Sequence, residues 1–465
     1  MLPIAAHERV RSVHLNKGLV SRNELNVRCA FLAIALILII LIPSPATAER
    51  VYFAGYKGGF YIRSEEEGGM ELRFGGSFQT DYRAYAEDER ADNRFDIRKA
   101  RLIFNGQVTR WFGFGLEYEF QGNETSNLVD AWGELFISGK ERIQIGSGSD
   151  SLRFGQFKEP FSLEWQCTDK ALWFAERSMG YYLTPMRDIG IMYRGSGMQD
   201  SLYFGIGLFN GDGDDGATRG SEHDSPEVSG RIAVKPLQGS DSDMIRNLQL
   251  GASASYAAID TTNIDLKVKS TGMAGLSNRS LYVLSHNTKF GVLQDAGSRY
   301  RGGAEVAWFM GPFAMTGEYI LQKYSDLEIA TREPEDADFS AWYVSAAWCI
   351  TGEDFSLAQG VINPVHPNRF YDPEEGTFGA VIVAVRYDHF SGDKDWITEG
   401  ANVSAGRADA ASLGLTWILF PMLRLSCDYT WTDLSDPIRV RVNNDGRVDY
   451  IERENVLTLR MSMDL

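Results

Sequence analysis

The sequence has little of what defines several large protein classes. It contains four cysteines and 14 prolines in 465 residues, and 44% of its residues are hydrophobic while 23% are charged. This composition disfavours disulfide-stapled, collagen-like and disordered chains. The one long unbroken apolar run, Ala30 to Ile42, has 13 residues, fewer than the roughly 20 that a helix needs to cross a bilayer. The sequence therefore predicts a folded chain that has no membrane-spanning helix.

The first 48 residues have the pattern of a Sec-type signal peptide. A basic segment precedes the apolar run, and the small residues Ala46-Thr47-Ala48 follow it. This order predicts cleavage after Ala48 and export, so that residues 49–465 form a single mature domain. Cleavage would remove five basic and two acidic residues and move the net charge from −17 to −20. A nucleic-acid partner is disfavoured by so negative a chain.

The three cysteines of the mature chain give no sign of a disulfide or metal framework. Cys167, Cys349 and Cys427 are odd in number and far apart, whereas such frameworks use paired or closely spaced cysteines. The sequence therefore predicts neither a disulfide nor a cysteine metal site.

The mature chain repeats one pattern, in which apolar or small side chains alternate with polar ones. In Met70 to Arg83 the charged residues fall on one face only, and Val456 to Leu465 show the same alternation. Period 2 is the signature of a strand with two different faces. Sixteen such runs can be counted: 70–83, 95–106, 112–120, 128–137, 142–157, 189–194, 202–209, 228–234, 248–256, 300–309, 313–319, 341–350, 377–387, 413–420, 423–430 and 456–465.

The spacing of these runs fits a transmembrane barrel, with about 26 residues per strand and connection. Short connections alternate with long polar ones, which we expect to face outside. The short ones include 106–111, 310–312 and 420–422, and the long ones 210–227, 261–298 and 387–411. A soluble sandwich or a β-propeller would also alternate. Aromatic residues near strand ends, such as Trp111 and Tyr319, and the absence of a repeat of about 40 residues favour the barrel. We therefore predict an all-β fold, a transmembrane antiparallel β-barrel of about sixteen strands.

Candidate catalytic groups are scarce. The sequence contains no Gly-x-Ser-x-Gly, His-Glu-x-x-His or P-loop motif. His223, His286, His366 and His389 all fall in predicted loops, and a lipase of the outer membrane would need a histidine on an outward strand face. The sequence thus predicts no enzyme and no cofactor.

An acidic stretch raises the question of a bound metal. Asn210 to Gly216 is followed by Glu222, Asp224 and Glu227, but Asp215 stands where a calcium-binding EF-hand loop needs glycine. We interpret this stretch as a solvated outer loop and predict no metal site. A bound divalent cation there would bridge to lipopolysaccharide phosphates.

The region from Gly155 to Arg194 departs longest from the alternation in the first half of the chain. It contains Pro160 and Pro185 between two good strands. A loop of about 30 residues in a compact domain is usually functional. In a wide barrel we expect it to fold inward, over about residues 158–187, and to narrow the bore.

Several motifs in and around this region resemble those of the phosphate-selective porin O and P family. They are Arg98 to Leu102 (RKARL), Leu152 to Glu164 (LRFGQFKEPFSLE), Glu176 to Met179 (ERSM), Pro185 to Gly190 (PMRDIG), Gly311 to Phe313 with Glu318-Tyr319, and Thr351 to Glu353. The resemblance implies an outer-membrane porin of sixteen strands, usually trimeric, whose third external loop folds into the pore. It also implies passage of small anions, with phosphate or polyphosphate as the solute. The constriction residues that it implies are Arg98, Lys99, Arg101, Lys158, Arg177 and Arg187.

Physical reasoning leaves two uses open for these cations. Guanidinium and ammonium groups stabilise an anion that loses water in a narrow passage, and conduction needs several weak sites. Alternatively, Arg177 and Arg187 pair with Glu176, Asp188 or wall carboxylates and hold the loop in place. The predicted lumen face mixes acidic and basic residues, which would pair across strands. The alternative to an anion channel is therefore a general or cation-preferring porin whose loop cations are structural.

Overall fold

The protein is described by a computed structural model over most of residues 49–465. The described residues are 51–56, 59–65, 69–86, 92–121, 127–137, 150–211, 226–259, 264–274, 280–285, 287–288, 290–295, 297–329, 332–396, 404–442 and 448–465. The predicted signal peptide, residues 1–48, and most of the acidic stretch after Asn210 lie outside these ranges.

Sixteen antiparallel strands form a closed ring. Each strand pairs with its neighbours in the chain, and the last pairs with the first from Asn455 opposite Ala86 to Asp464 opposite Ser77. The strands are β1 (Glu71–Ala86), β2 (Arg94–Thr109), β3 (Phe112–Glu119), β4 (Leu128–Phe136), β5 (Ser151–Lys158), β6 (Arg187–Gly197), β7 (Leu202–Phe209), β8 (Glu227–Val234), β9 (Leu248–Ala258), β10 (Ser298–Met310), β11 (Phe313–Ile329), β12 (Arg332–Cys349), β13 (Ala380–Gly392), β14 (Arg407–Phe420), β15 (Leu423–Val442) and β16 (Val448–Asp464). The prediction of a sixteen-stranded barrel is confirmed, and each of the sixteen predicted runs overlaps one of these strands.

Helices are short in the described part of the chain. The α-helices are α1 (Leu163–Gln166) and α2 (Asp243–Arg246), and the 3-10 helices are Asp169–Ala171, Met179–Leu183, Thr271–Met273 and Lys394–Trp396. No helix among the described residues is long and apolar enough to cross a membrane.

The two faces of each strand follow the alternation of the sequence. In β16, Leu459, Met461 and Met463 are exposed on the outside, while Arg460 and Ser462 between them are buried inside. Hydrocarbon offers no hydrogen-bond partner to the backbone, so a sheet persists there only without free edges. The hydrocarbon of the membrane therefore explains both the outward apolar residues and the closure of the sheet into a ring.

One aromatic residue near a strand end does not face outward. Trp308 of β10 is partly exposed on the outer face, but the next residue, Phe309, is fully buried and contacts the rings of Trp173 and Phe355 inside the barrel. Clustering of aromatic residues at a strand end does not distinguish the faces, because consecutive residues point to opposite sides.

The connections deviate from the predicted alternation at two places. The strands that precede the three long connections named above, β7, β9 and β13, all end at one end of the barrel, called here the loop end. The short turns 310–313 and 420–423 lie at the other, the turn end. However, β11 ends at Ile329 and β12 begins at Arg332, so few residues separate two strands at the loop end, whereas residues 350–379 form a long connection at the turn end. In barrels of this kind the turn end faces the periplasm.

A hairpin that was not predicted precedes β1. Tyr52–Tyr56 pairs with Phe60–Ser64, which continues the sheet along β1 from Glu71 to Phe74. It occupies the edge of β1 that β16 leaves free, because β16 reaches only to Ser77 of β1.

Residues 159–186, here called the inner segment, connect β5 to β6 and lie against inward-facing side chains of distant strands. The amides of Leu163 and Glu164 donate to the Glu318 carboxylate of β11 at 2.9 and 2.7 Å. The amide of Ala175 donates to Asp428 of β15. The segment therefore crosses the lumen from β5 to the opposite wall.

Two further segments pack inside the barrel. From the loop end, the hairpin of Asp265–Val268 and Tyr282–Ser285 packs its apolar side on the inner segment. From the turn end, the short strands Leu357–Ala358 and Val361–Ile362 reach Arg231 of β8, which donates to the carbonyl of Gly360 at 2.5 Å. The remaining short strands are Asn287–Thr288, Gly291–Asp295, Tyr371–Asp372 and Thr377–Phe378. The apolar core of the described protein thus lies inside the ring.

Candidate functional site

The six cations that the sequence suggests lie on one side of the barrel. Arg98, Lys99 and Arg101 are on β2, Lys158 ends β5, Arg187 begins β6, and Arg177 is in the inner segment. They separate into three groups by the partners that they bind.

A bulge in β2 brings two consecutive cations to the same place. Lys99 lies opposite Gln79 and Ile97 opposite Thr80, so Arg98 is an extra residue in the strand. A bulge of this kind re-aims side chains that regular alternation would send to opposite faces. Arg98 and Lys99 therefore both reach the inner segment.

The first group gathers around Glu176 of the inner segment. Its Oε1 accepts from Arg83 Nη2 at 2.7 Å, Arg98 Nε at 2.9 Å and Arg460 Nη2 at 2.5 Å. Burial raises the pKa of Glu176, but the positive charges of Arg98, Arg460 and Arg83 outweigh burial and hold this pKa well below its usual range. The carboxylate stays ionised, and Arg98 is fixed to it.

The second group consists of Arg101 alone, which binds two carboxylates of the barrel wall. Its Nη1 lies 2.6 Å from Glu117 and its Nε lies 2.7 Å from Glu119, both on β3. Two anions on one guanidinium leave no net positive charge there. Arg101 is therefore a brace of the wall.

The third group surrounds the indole of Trp165. Lys158 Nζ lies 4.6 Å from the ring centroid, Arg187 Cζ 5.1 Å and Arg177 Cζ 5.6 Å. The indole Nε1 donates to the Met186 carbonyl at 3.0 Å, which fixes the ring. Three cations thus converge on one uncharged aromatic side chain.

Carboxylates neutralise this third group only in part. Arg177 lies 3.0 Å from Asp169, and Arg187 lies 2.8 Å from Asp130. Lys158 donates to the carbonyls of Trp165 and Cys167 at 2.7 and 3.0 Å and has no carboxylate partner in the described part of the chain. Lys99 also bonds Asp169. Positive charge is therefore in excess around Trp165.

Exposure indicates where a passage remains. The side chains of Arg98 and Arg187 are 25% and 14% exposed, whereas those of Arg231 and Arg386 on the far wall are 0% and 2% exposed. Solvent therefore reaches Arg98 and Arg187 more than it reaches Arg231 and Arg386.

The series of cations continues below Lys158 toward the turn end. Arg153 of β5 and Arg194 of β6 both bind Glu134 of β4, at 2.8 and 2.6 Å. Two guanidinium groups share one carboxylate, so this level also carries an excess of positive charge.

Reasoning from the sequence did not single out Trp165, Asp169, Lys170 or the role of Glu176. Lys170 Nζ has no hydrogen-bond or ion-pair partner among the described residues, while Arg424 holds its carbonyl at 2.9 Å. The spacing Lys158, Trp165 and Lys170 within one loop was the available signal. The alternative in which Arg187 pairs with Asp188 or with a wall carboxylate agrees with the structure in its second form, because Arg187 binds Asp130 of the wall. Arg177 binds Asp169 rather than Glu176.

One histidine was assigned wrongly. His389 lies on the outer face of β13, where Nδ1 is 2.7 Å from Asp409 and the ring stacks on Trp342. His389 lies opposite Trp342 of β12 and opposite Asp409 of β14, so its ring and its Nδ1 face these two side chains. Among the described residues no serine hydroxyl is hydrogen-bonded to His389, so the pair does not extend to a nucleophile.

Among the described residues, no group of three or more His, Cys, Asp or Glu residues is arranged to hold a metal ion. Cys167, Cys349 and Cys427 are free thiols.

Comparison with known proteins places these observations in a family. The family described as phosphate-selective porin O and P matches residues 70–465. Porin O of Pseudomonas aeruginosa is 24% identical over 418 residues, which cover 84% of this chain and 89% of Porin O. Two solved structures align with 89% of this chain over their full lengths, each with a TM-score of 0.48. They are the outer-membrane channel DcaP of Acinetobacter baumannii, 13% identical, and OmpF of Salmonella typhi, 16% identical. The chain belongs to the phosphate-selective porin O and P family and is an outer-membrane channel protein rather than an enzyme.

Proposed function

We propose that the protein is a water-filled channel for passive diffusion of small anions, with phosphate or polyphosphate as the solute. The observation that carries this proposal is the convergence of Lys158, Arg177 and Arg187 on the uncharged Trp165. The family description and the relationship to Porin O support phosphate as the solute.

In this proposal the inner segment forms the constriction. An anion that enters from the loop end meets Arg98 and Lys99 and then the group around Trp165, and it leaves past Arg153 and Arg194. Guanidinium and ammonium groups replace part of its hydration shell by charge-assisted hydrogen bonds. Each cation already has a protein partner, so each site is weak, as conduction requires.

The alternative is a general or cation-preferring porin whose cations only brace the inner segment. Arg98 on Glu176 and Arg101 on two glutamates favour it for those residues. It does not account for Lys158, which binds only carbonyl oxygens within the described chain. The two proposals therefore differ in the role of Lys158, Arg177 and Arg187, which bind the solute in the first and only brace the inner segment in the second.

We also propose that copies associate, as a homotrimer, through the wall from β3 to β8. Four of these strands have eight residues, which at the usual tilt span about 20 Å of an apolar band about 25 Å tall. β12, with 18 residues, spans that band fully. A neighbouring copy would shield the short wall, and the other strands would face membrane lipid and lipopolysaccharide.

Charge reversal tests the anion channel against its alternative. We would record ion preference in planar bilayers for Lys158→Glu and Arg187→Glu, with Arg101→Glu as the control. The proposal expects the first two variants to lose anion preference more than the control does. Unchanged preference together with lower thermal stability would support the structural alternative.

A further inference from the structure

We propose that Trp165 is a positioning residue of the channel: its indole holds Lys158, Arg177 and Arg187 together without neutralising them. The inference rests on the proposed anion channel and names the side chain that keeps the channel's positive charge available. Trp165 itself is 2% exposed and does not touch the solute.

Three contacts fix the position of Trp165. The backbone amide of Trp165 donates to the side chain of Ser162, which caps α1, at 3.2 Å. Its Nε1 donates to Met186, next to β6, and the ring of Tyr181 packs against it with centroids 5.3 Å apart. The indole is therefore a rigid surface rather than a mobile side chain.

A neutral aromatic surface solves a specific electrostatic problem. Three cations within one small volume repel each other. Asp169 and Asp130 offset two of these charges, and a further carboxylate would cancel the remaining charge that binds an anion. The negative face of an indole attracts cations and carries no net charge. Trp165 thus offsets repulsion and leaves the positive potential in place.

Eleven residues after Trp165, the same inner segment binds three cations through a carboxylate, that of Glu176. Three guanidinium groups converge on the Glu176 carboxylate, and Asp81 binds two of them. There the cations are held by carboxylates rather than by an uncharged ring. The Glu176 group is suited to holding the segment on the wall. The Trp165 group is suited to holding an anion.

The decisive experiment varies the electrostatics of the ring at constant shape. Site-specific incorporation of fluorinated tryptophans at position 165 lowers the negative potential of the ring face with each fluorine and changes its size little. We would titrate inorganic phosphate against chloride current in planar bilayers. We expect the phosphate concentration for half-block to rise stepwise with fluorination and by about tenfold in Trp165→Leu, with Trp165→Phe intermediate.

Trp173 provides the matched control. It lies in the same inner segment and is nearly as buried, but its ring contacts Phe309 and Phe355. No cation lies over the ring of Trp173 in the described part of the protein. Fluorination there should leave phosphate block unchanged, which separates ring electrostatics from general loosening of the segment.

The outcomes separate the inference from the function on which it rests. A wild-type channel that shows no anion preference and no phosphate block contradicts the proposed function. A wild-type channel blocked by phosphate, with the same half-block concentration throughout the fluorinated series at position 165, overturns the role of Trp165 alone.

Discussion

Arg98 of β2 and Glu176 of the inner segment form a two-point ion pair, with Nε to Oε1 at 2.9 Å and Nη2 to Oε2 at 3.1 Å. The pair joins the wall to the segment that crosses the lumen. Because Arg83 and Arg460 share the same carboxylate, Glu176 ties together strands from both sides of the closing seam. Its first role is therefore mechanical.

Replacing Glu176 by Gln should weaken the attachment of the inner segment. The substitution leaves three guanidinium groups around a neutral amide, and breaking a buried ion pair in this way costs about 3–5 kcal/mol. We expect a lower temperature of barrel unfolding, measured as the heat-induced change in mobility on a denaturing gel. We also expect stronger chloride preference, because a negative charge is lost. Unchanged stability would contradict the mechanical role.

Lys170 allows the reverse test, in which charge changes and stability does not. Its ammonium lacks a partner among the described residues, so Lys170→Gln breaks no described ion pair. Substitutions of this kind usually change stability by less than about 0.5 kcal/mol. We expect a weaker chloride preference at unchanged unfolding temperature. Equal ion preference in wild type and variant would place Lys170 away from the path of ions.

Glu159 should make stability depend on pH. Both carboxyl oxygens are buried without a hydrogen-bond partner in the described structure. Burial and the charges of Glu227 and Asp188 raise the pKa of Glu159 well above its ordinary value of 4.5, although Arg301 and Arg299 oppose the shift. The folded protein thus holds a proton that the unfolded chain releases above pH 4.5, so stability declines as the pH rises from there to the folded pKa.

The variant Glu159→Gln tests this expectation. The amide has no proton to lose in this range, so we expect the variant to unfold at a higher temperature than the wild type at pH 7. The difference should disappear near pH 4, where both side chains are neutral. A wild-type profile that is flat between pH 4 and 7 would contradict a raised pKa.

Gly155 tests the local geometry that starts the inner segment. It adopts φ +113°, and a Cβ there would lie 2.2 Å from the carbonyl oxygen of Ala131 and 2.9 Å from Cα of Trp132. We expect Gly155→Ala to cost about 2 kcal/mol or more and to lower the unfolding temperature. The control is Gly239→Ala, where no atom lies within 4 Å of the added carbon. Equal effects at both positions would refute the constraint on Gly155.

The number of strands and their faces were predictable because period 2 is a local property. Leu459 and Arg460 differ in hydropathy, and the solvent on each side of the barrel sorts them. The hairpin before β1 was missed because its five-residue strands expose aromatics with little alternation. The connection 350–379 is long although connections at the turn end were expected to be short, because part of it packs inside the barrel.

The site was predictable as a set of residues but not as a set of contacts. The motif resemblance singled out Lys158 and Arg187, yet nothing local pairs Arg460 with Glu176 across 284 positions of sequence. The bulge at Arg98 is likewise a property of two paired strands, and no single-strand pattern encodes it. The grouping around Trp165 depends on the folded inner segment.

The central claim is that the passage beside the inner segment prefers and binds anions, and one recording tests it most directly. Purified channel in a planar bilayer with a KCl gradient gives a zero-current potential, and phosphate is then titrated into the bath. We predict a potential of the sign set by chloride, and block of the chloride current that saturates with phosphate. A potential set by potassium, with no block by phosphate, would contradict the account and leave the cations of the inner segment as braces.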